Sequence, residues 1–190
     1  MSEPSLPDLL EALGELFLVP GGFDANRFEG LGRSSWAGMG ITPALHRLLI
    51  EDRTGLDVAY TGLFLQGFDR PTLHLEASAQ FTGSLADPSL LAELVKISSI
   101  AGIHPDSSIQ PDHLGAILLL QAHLFRELAG AEGDRPFLLE AAARTLLQRF
   151  LQPLSKRVST RLEEPGIPPF YQAAGQLLTR AVALSELVLA

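Results

Sequence analysis

The stretch Asp112-His113-Leu114-Gly115-Ala116-Ile117-Leu118-Leu119-Leu120-Gln121-Ala122-His123-Leu124-Phe125-Arg126-Glu127-Leu128-Ala129 decides the fold class. Leu114, Ile117, Leu118, Gln121, Leu124, Phe125 and Leu128 recur at spacings of three and four, which is the period of one helix face. Downstream, residues 137–152 resume that period with Leu139, Ala142, Ala143, Leu146, Leu147 and Phe150, and Pro153 is read as the end of the helix. Prolines at 165, 168 and 169 mark a second break. Residues 170–189 form a last helix, with Tyr171, Ala174, Leu177, Leu178, Ala181, Leu184 and Val188 inward.

Upstream, the polar segment 102–111 holds two prolines and reads as a hinge between two groups of helices. Before it, Asp87-Pro88 has the form of a cap followed by a first-turn proline and opens a helix to about residue 101. Residues 55–66 place Tyr60, Leu63 and Phe64 on one stripe, closed by Gly67. Thr42-Pro43 reads as another cap-then-proline start, with Leu45, Leu48 and Leu49 inward. Residues 5–17 carry Leu6, Leu9, Leu10, Leu13, Leu16 and Phe17 at helical spacing and stop at Pro20-Gly21-Gly22. Residues 23–40 read as irregular, and 68–78 as a connection. Val, Ile and Thr are sparse and never alternate over a strand-length run. The expectation is an all-α, single-domain bundle of about eight helices spanning 1–190.

Composition narrows the function. The chain has 14 Lys+Arg against 22 Asp+Glu and a net charge of -8, opposite to what phosphate binding needs. Thirteen acids but only five bases fall in 1–95, so the excess lies in the N-terminal half, where it would favour a cationic partner. With no cysteine there is no disulfide, thiolate metal site or thiol nucleophile. No apolar run approaches the roughly 20 residues that span a bilayer, and the first residues lack a basic leader pattern. A cytoplasmic protein is expected.

Motif chemistry is absent. There is no GxxxxGK[ST], HExxH or GxSxG, although Gly32-Arg33-Ser34-Ser35-Trp36 approaches the last. His46, His74, His104, His113 and His123 include no pair at helical metal spacing. No cofactor or metal is expected, and a binding protein is favoured over an enzyme.

One constellation stands out: Gln110-Pro111-Asp112-His113-Leu114, where a polar loop becomes the long apolar helix. Pro in the first turn and Asp near the positive helix end are structurally explained. His113 is not, because a positive charge is disfavoured there; the dipole favours neutral imidazole. The pair has three readings: tying the preceding loop to another helix, recognising a ligand, or acid–base work.

Pro111-Asp112-His113 leading into Leu114 resembles the PDH-type signature of the TorD/DmsD/NarJ family of cytoplasmic molybdoenzyme chaperones. Three further segments agree in order. Tyr60-Thr61-Gly62-Leu63-Phe64-Leu65-Gln66-Gly67 is similar to that family's Y-x-x-L-F-x-x-G segment. Pro71 with Leu75-Glu76-Ala77-Ser78 is similar to its P…E-S stretch, and Phe150-Leu151 with Pro169-Phe170-Tyr171 to its late W-L…F-Y pattern. The usual acid before the PDH element, an aromatic near Leu75 and a Trp near Phe150 are missing.

The resemblance implies an all-α, non-catalytic chaperone. Its partner would be a molybdoenzyme catalytic subunit, bound through a twin-arginine type N-terminal signal peptide while the cofactor is loaded. Reading such a peptide takes carboxylates beside an apolar groove. The candidate peptide-binding residues are Tyr60, Leu63, Phe64, Leu75, Glu76, Pro111, Asp112 and His113, with Asp57 and Asp69 nearby in sequence. The competing reading is a helical scaffold or regulatory subunit of a redox complex. Monomer and domain-swapped dimer are both compatible with the 102–111 connection.

Overall fold

The computed structural model describes residues 5–19, 23–32, 40–66, 72–104 and 109–190. The readings placed on Pro20-Gly21-Gly22, Gly67, Asp69, Pro71 and the middle of the 102–111 loop lie outside these residues. The described residues form α1 (Leu6–Leu18), α2 (Ala25–Leu31), α3 (Ile41–Ile50), α4 (Leu56–Tyr60), α5 (Ala77–Thr82) and α6 (Pro88–Ile100). They continue with α7 (Leu114–Gly130), α8 (Arg135–Leu146), α9 (Gln152–Leu162) and α10 (Pro169–Val188). Two π-helical turns, Thr61–Gln66 and Leu147–Leu151, extend α4 and join α8 to α9. Among the described residues the extended backbone pairs only at one isolated antiparallel bridge, Glu76 with His113.

The fold is all-α, as the periodicity dictates, and the described residues hold ten α-helices against about eight expected, short ones among the additions. Residues 25–31, expected to be irregular, form α2, whose N-terminus is capped by Asp24 accepting from the Asn26 N–H at 2.9 Å. Phe28 and Leu31 of that helix are buried. A seven-residue helix is too short for periodicity to reveal it. α3 starts at Ile41 rather than after Thr42, because Gly40 adopts φ +83 and caps it. That left-handed conformation is open to glycine and costly for residues with a Cβ.

Pro153 does not end a helix. The π turn before it moves the hydrogen bonding out of register, so that the Gln152 N–H donates to Leu147 O. Pro153 then falls in the first turn of α9, where its missing N–H costs little. Leu154, Val158 and Leu162 continue the buried stripe.

α7 is the centre of the bundle. It packs along α1 on one side and α8 on another, while α10 lies against α3 and α9. The α1–α7 crossing is tight because two glycines face each other. A Cβ on Gly115 would sit 2.7 Å from Gly14 O and 2.5 Å from Leu18 Cγ. One contiguous core takes side chains from every helix, including Phe17, Phe28, Phe150, Leu94 and Ile117. No helix among the described residues is long and apolar enough to cross a membrane.

Candidate functional site

The Pro-Asp-His element crosses the segment Leu75–Ser78 in space. The Leu114 N–H donates to Leu75 O at 2.7 Å, and the Ala77 N–H to Asp112 O at 2.8 Å. These two bonds make the Glu76–His113 bridge. The Asp112 side chain is fully buried, and its Oδ2 accepts the Ser78 N–H at 2.9 Å. Asp112 therefore satisfies the first two N–H donors of α5, Ala77 with its backbone and Ser78 with its carboxylate. The sequence places Asp112 in the first turn of the long helix; the structure puts it two residues before α7, capping α5 instead. Its Oδ1 has no hydrogen-bond partner among the described residues.

His113 is the N-cap of α7. Its Nδ1 accepts the Gly115 N–H at 3.1 Å, so that nitrogen carries no proton. Burial pushes the imidazole below its ordinary pKa, and the nearby charges of Glu76 and Asp112 only partly oppose that shift. The neutral ring expected from the helix dipole is thus held mainly by burial.

Ser78 carries the crossing onward. Its hydroxyl oxygen accepts the Asp87 N–H at 2.9 Å, and Asp87 Oδ1 caps α6 by accepting from Ser89 and Leu90. At the other end of α5, the Arg157 guanidinium donates to Gln80 O and lies 5.3 Å from the Phe81 ring centroid. This short helix is held by a carboxylate at its positive end and a guanidinium at its negative end. Arg157 was not legible as a site residue, because it lies in a stretch that Pro153 made unreadable as helix.

The aromatic motifs also meet. Phe64 packs edge-on against Tyr60 (4.9 Å between centroids), Tyr171 (5.5 Å) and Phe17 (6.4 Å). The Tyr60 hydroxyl donates to Phe17 O at 2.8 Å, and Tyr171 donates to Leu56 O at 3.2 Å. Burial, with a contribution from the charge of Glu76, pushes the Tyr60 pKa up to about 12. The Leu73 N–H donates to Leu63 O at 2.8 Å and joins the π turn to the strand-like segment before α5.

Of the eight sequence candidates, Tyr60, Leu63, Phe64, Leu75 and Asp112 are buried. Pro111 and His113 are partly exposed, as is Glu76. Glu76 Oε2 lies 3.7 Å from His74 Nδ1, and both side chains reach the surface. The eight residues come together as two neighbouring sets, one aromatic and one polar.

The protein is thus an all-α bundle organised around a Pro-Asp-His crossing that docks a short helix over the head of its central one. It belongs to the nitrate reductase delta subunit family, whose model matches residues 39–158, well over half of the chain. The match takes in the whole crossing and the Tyr60–Phe64 turn, and ends before α10. This is the NarJ/TorD type of chaperone family, whose members act as maturation factors for molybdoenzymes and work with the catalytic subunit. No curated protein matches the chain.

Proposed function

We propose that this protein is a non-catalytic, cytoplasmic chaperone that binds the twin-arginine type N-terminal leader of a molybdoenzyme catalytic subunit while its cofactor is loaded. The family match over residues 39–158 carries this reading. In it the buried residues and the partly exposed ones divide the work. Tyr60, Leu63, Phe64, Leu75 and Asp112 build and hold the crossing. Glu76, with His74, Pro111 and His113 around it, meets the peptide. A surface carboxylate suits a guanidinium, which presents its N–H groups in a fork matched to two carboxylate oxygens.

The test is a calorimetric titration with a synthetic twin-arginine leader and a Lys-Lys control. The expected result is saturable binding near micromolar, about −8 kcal/mol, weakened in the control. Glu76→Gln should weaken the arginine peptide several-fold with no change in melting temperature, since Glu76 caps nothing with its side chain. Absence of binding to either peptide would leave the scaffold reading, in which Asp112 has only its capping role.

A further inference from the structure

A second recognition surface lies between α6 and α8, away from the Pro-Asp-His crossing. The two helices leave an open groove of about 500 Å³ between them. Ala92, Ile97 and Ile100 of α6 line it, with Leu138 and Ala141 of α8. Leu138 is 60% exposed and Ile100 36%, so the groove leaves large apolar side chains in water. Its alanines leave room for another backbone to come close.

Two charges stand on the α6 wall, and they differ. Glu93 is engaged, bonded by Arg149 at 2.6 Å across to the π turn that follows α8. Lys96 has no carboxylate within ion-pair distance among the described residues. The groove therefore offers apolar surface and one uncompensated cation, in a chain whose net charge is -8. Other grooves lack that combination. The one between α9 and α10 also holds a lysine, Lys156, but its wall is mostly polar, with Gln152, Ser155, Ser159, Thr160 and Thr179, and it carries the carboxylates of Glu163 and Glu186. The cleft beside Leu6 and Phe125 contains Arg126, already bonded to Asp8 and Glu11.

We propose that the α6–α8 groove docks a short amphipathic helix of a partner protein, with its apolar side on the groove floor and an acidic residue on Lys96. From Ala92 to Ile100 the groove runs about 12 Å, which is about two helical turns of an occupant. Helix-in-groove binding uses this geometry. Charge sets the occupant apart from a twin-arginine leader, whose guanidinium groups Lys96 repels. The inference does not rest on leader binding.

The probes are two fluorescein-labelled, lactam-stapled Leu/Ala peptides of about 14 residues, long enough to hold a helix. They are identical except that one carries Glu and the other Lys at the position facing Lys96. Fluorescence anisotropy with the full chain should show the Glu peptide binding more tightly. Lys96→Ala should weaken it by about fivefold at most, the yield of one exposed ion pair, and Lys96→Glu should reverse the preference. Ala141→Arg, which fills the groove from an exposed position, should abolish binding of both probes while melting temperature and leader affinity stay unchanged. Equal affinity for the two peptides, or binding indifferent to Ala141→Arg, overturns the proposal. So does self-association of the wild type in sedimentation that Ala141→Arg removes, since the groove would then be covered by a second copy.

Discussion

At His113 two demands meet on one ring. Nδ1 accepts the Gly115 N–H, and a proton on that nitrogen would turn a cap into a clash of donors. Burial lowers the imidazole pKa below 6.5, more than Glu76 and Asp112 raise it. The unfolded chain therefore binds a proton that the folded chain resists between those two values. Stability from this group is whole above about pH 6.5 and is lost as pH falls through that value toward the folded one. Asp8 and Glu11 are also shifted, in the carboxylate direction. For Asp8, burial raises the pKa, but the Ser5 backbone and hydroxyl and Arg126 outweigh it; for Glu11 the Arg126 bond leads. Their contribution is lost only below about pH 4.5, so the two windows are separate. Urea midpoints measured from pH 8 to 5 should fall below about pH 6.5 in the wild type. His113→Asn keeps an oxygen able to cap α7 and cannot titrate, so its slope in that window should flatten. An unchanged slope in the variant would assign the pH dependence elsewhere.

Helices α1 and α7 meet through backbone, and this sets which substitutions they tolerate. Alanine in place of glycine ordinarily favours a helix by about 1 kcal/mol. At Gly115 the added Cβ would meet Gly14 O and Leu18, and a carbonyl cannot rotate away as a side chain can. Overpacking of this kind costs about 1–3 kcal/mol, so Gly115→Ala should be net destabilising. Gly130, at the other end of α7, has nothing within 4 Å of its added Cβ. Gly130→Ala should therefore be neutral or stabilising, and equal urea midpoints for the two variants would remove the steric account. Helices set by local pattern are legible in the chain alone. Asp87-Pro88, the leucines of α1 and the face of α7 are local patterns and read correctly. The helix through Pro153 does not, because a π turn answers the proline and leaves no mark in spacing. Asp112 was legible as important but not as buried, since the donor it satisfies, Ser78, lies 34 residues away. A loop carboxylate reads as solvated until its partner is known. Leu63 and Phe64 look alike as groove wall or as core; only the closure of Tyr171 and Phe17 around Phe64 separates the two.

Across the whole molecule, charge is unevenly spent. Part of the N-terminal acid excess is already compensated: Glu11 and Glu15 by Arg27, Asp8 and Glu11 by Arg126, Glu93 by Arg149. Glu76 lies 3.7 Å from His74 and makes no ion pair with a Lys or Arg among the described residues, so its carboxylate is available to a cation. Under the proposed leader binding, two contributions separate by their response to salt. Long-range attraction between the acidic half and two positive residues depends on charge alone and is screened beyond about 8 Å at physiological ionic strength. Arg-Arg and Lys-Lys leaders carry the same charge, so their affinities should fall in parallel as salt rises from about 50 to 300 mM. The fork geometry of guanidinium on a carboxylate acts at contact, where ions intervene far less, and should survive as a constant offset between the two lines. Calorimetry at four salt concentrations reads both. Lines that converge at high salt would mean that the peptide is held by the diffuse field of the acidic half, with no carboxylate such as Glu76 engaged at contact.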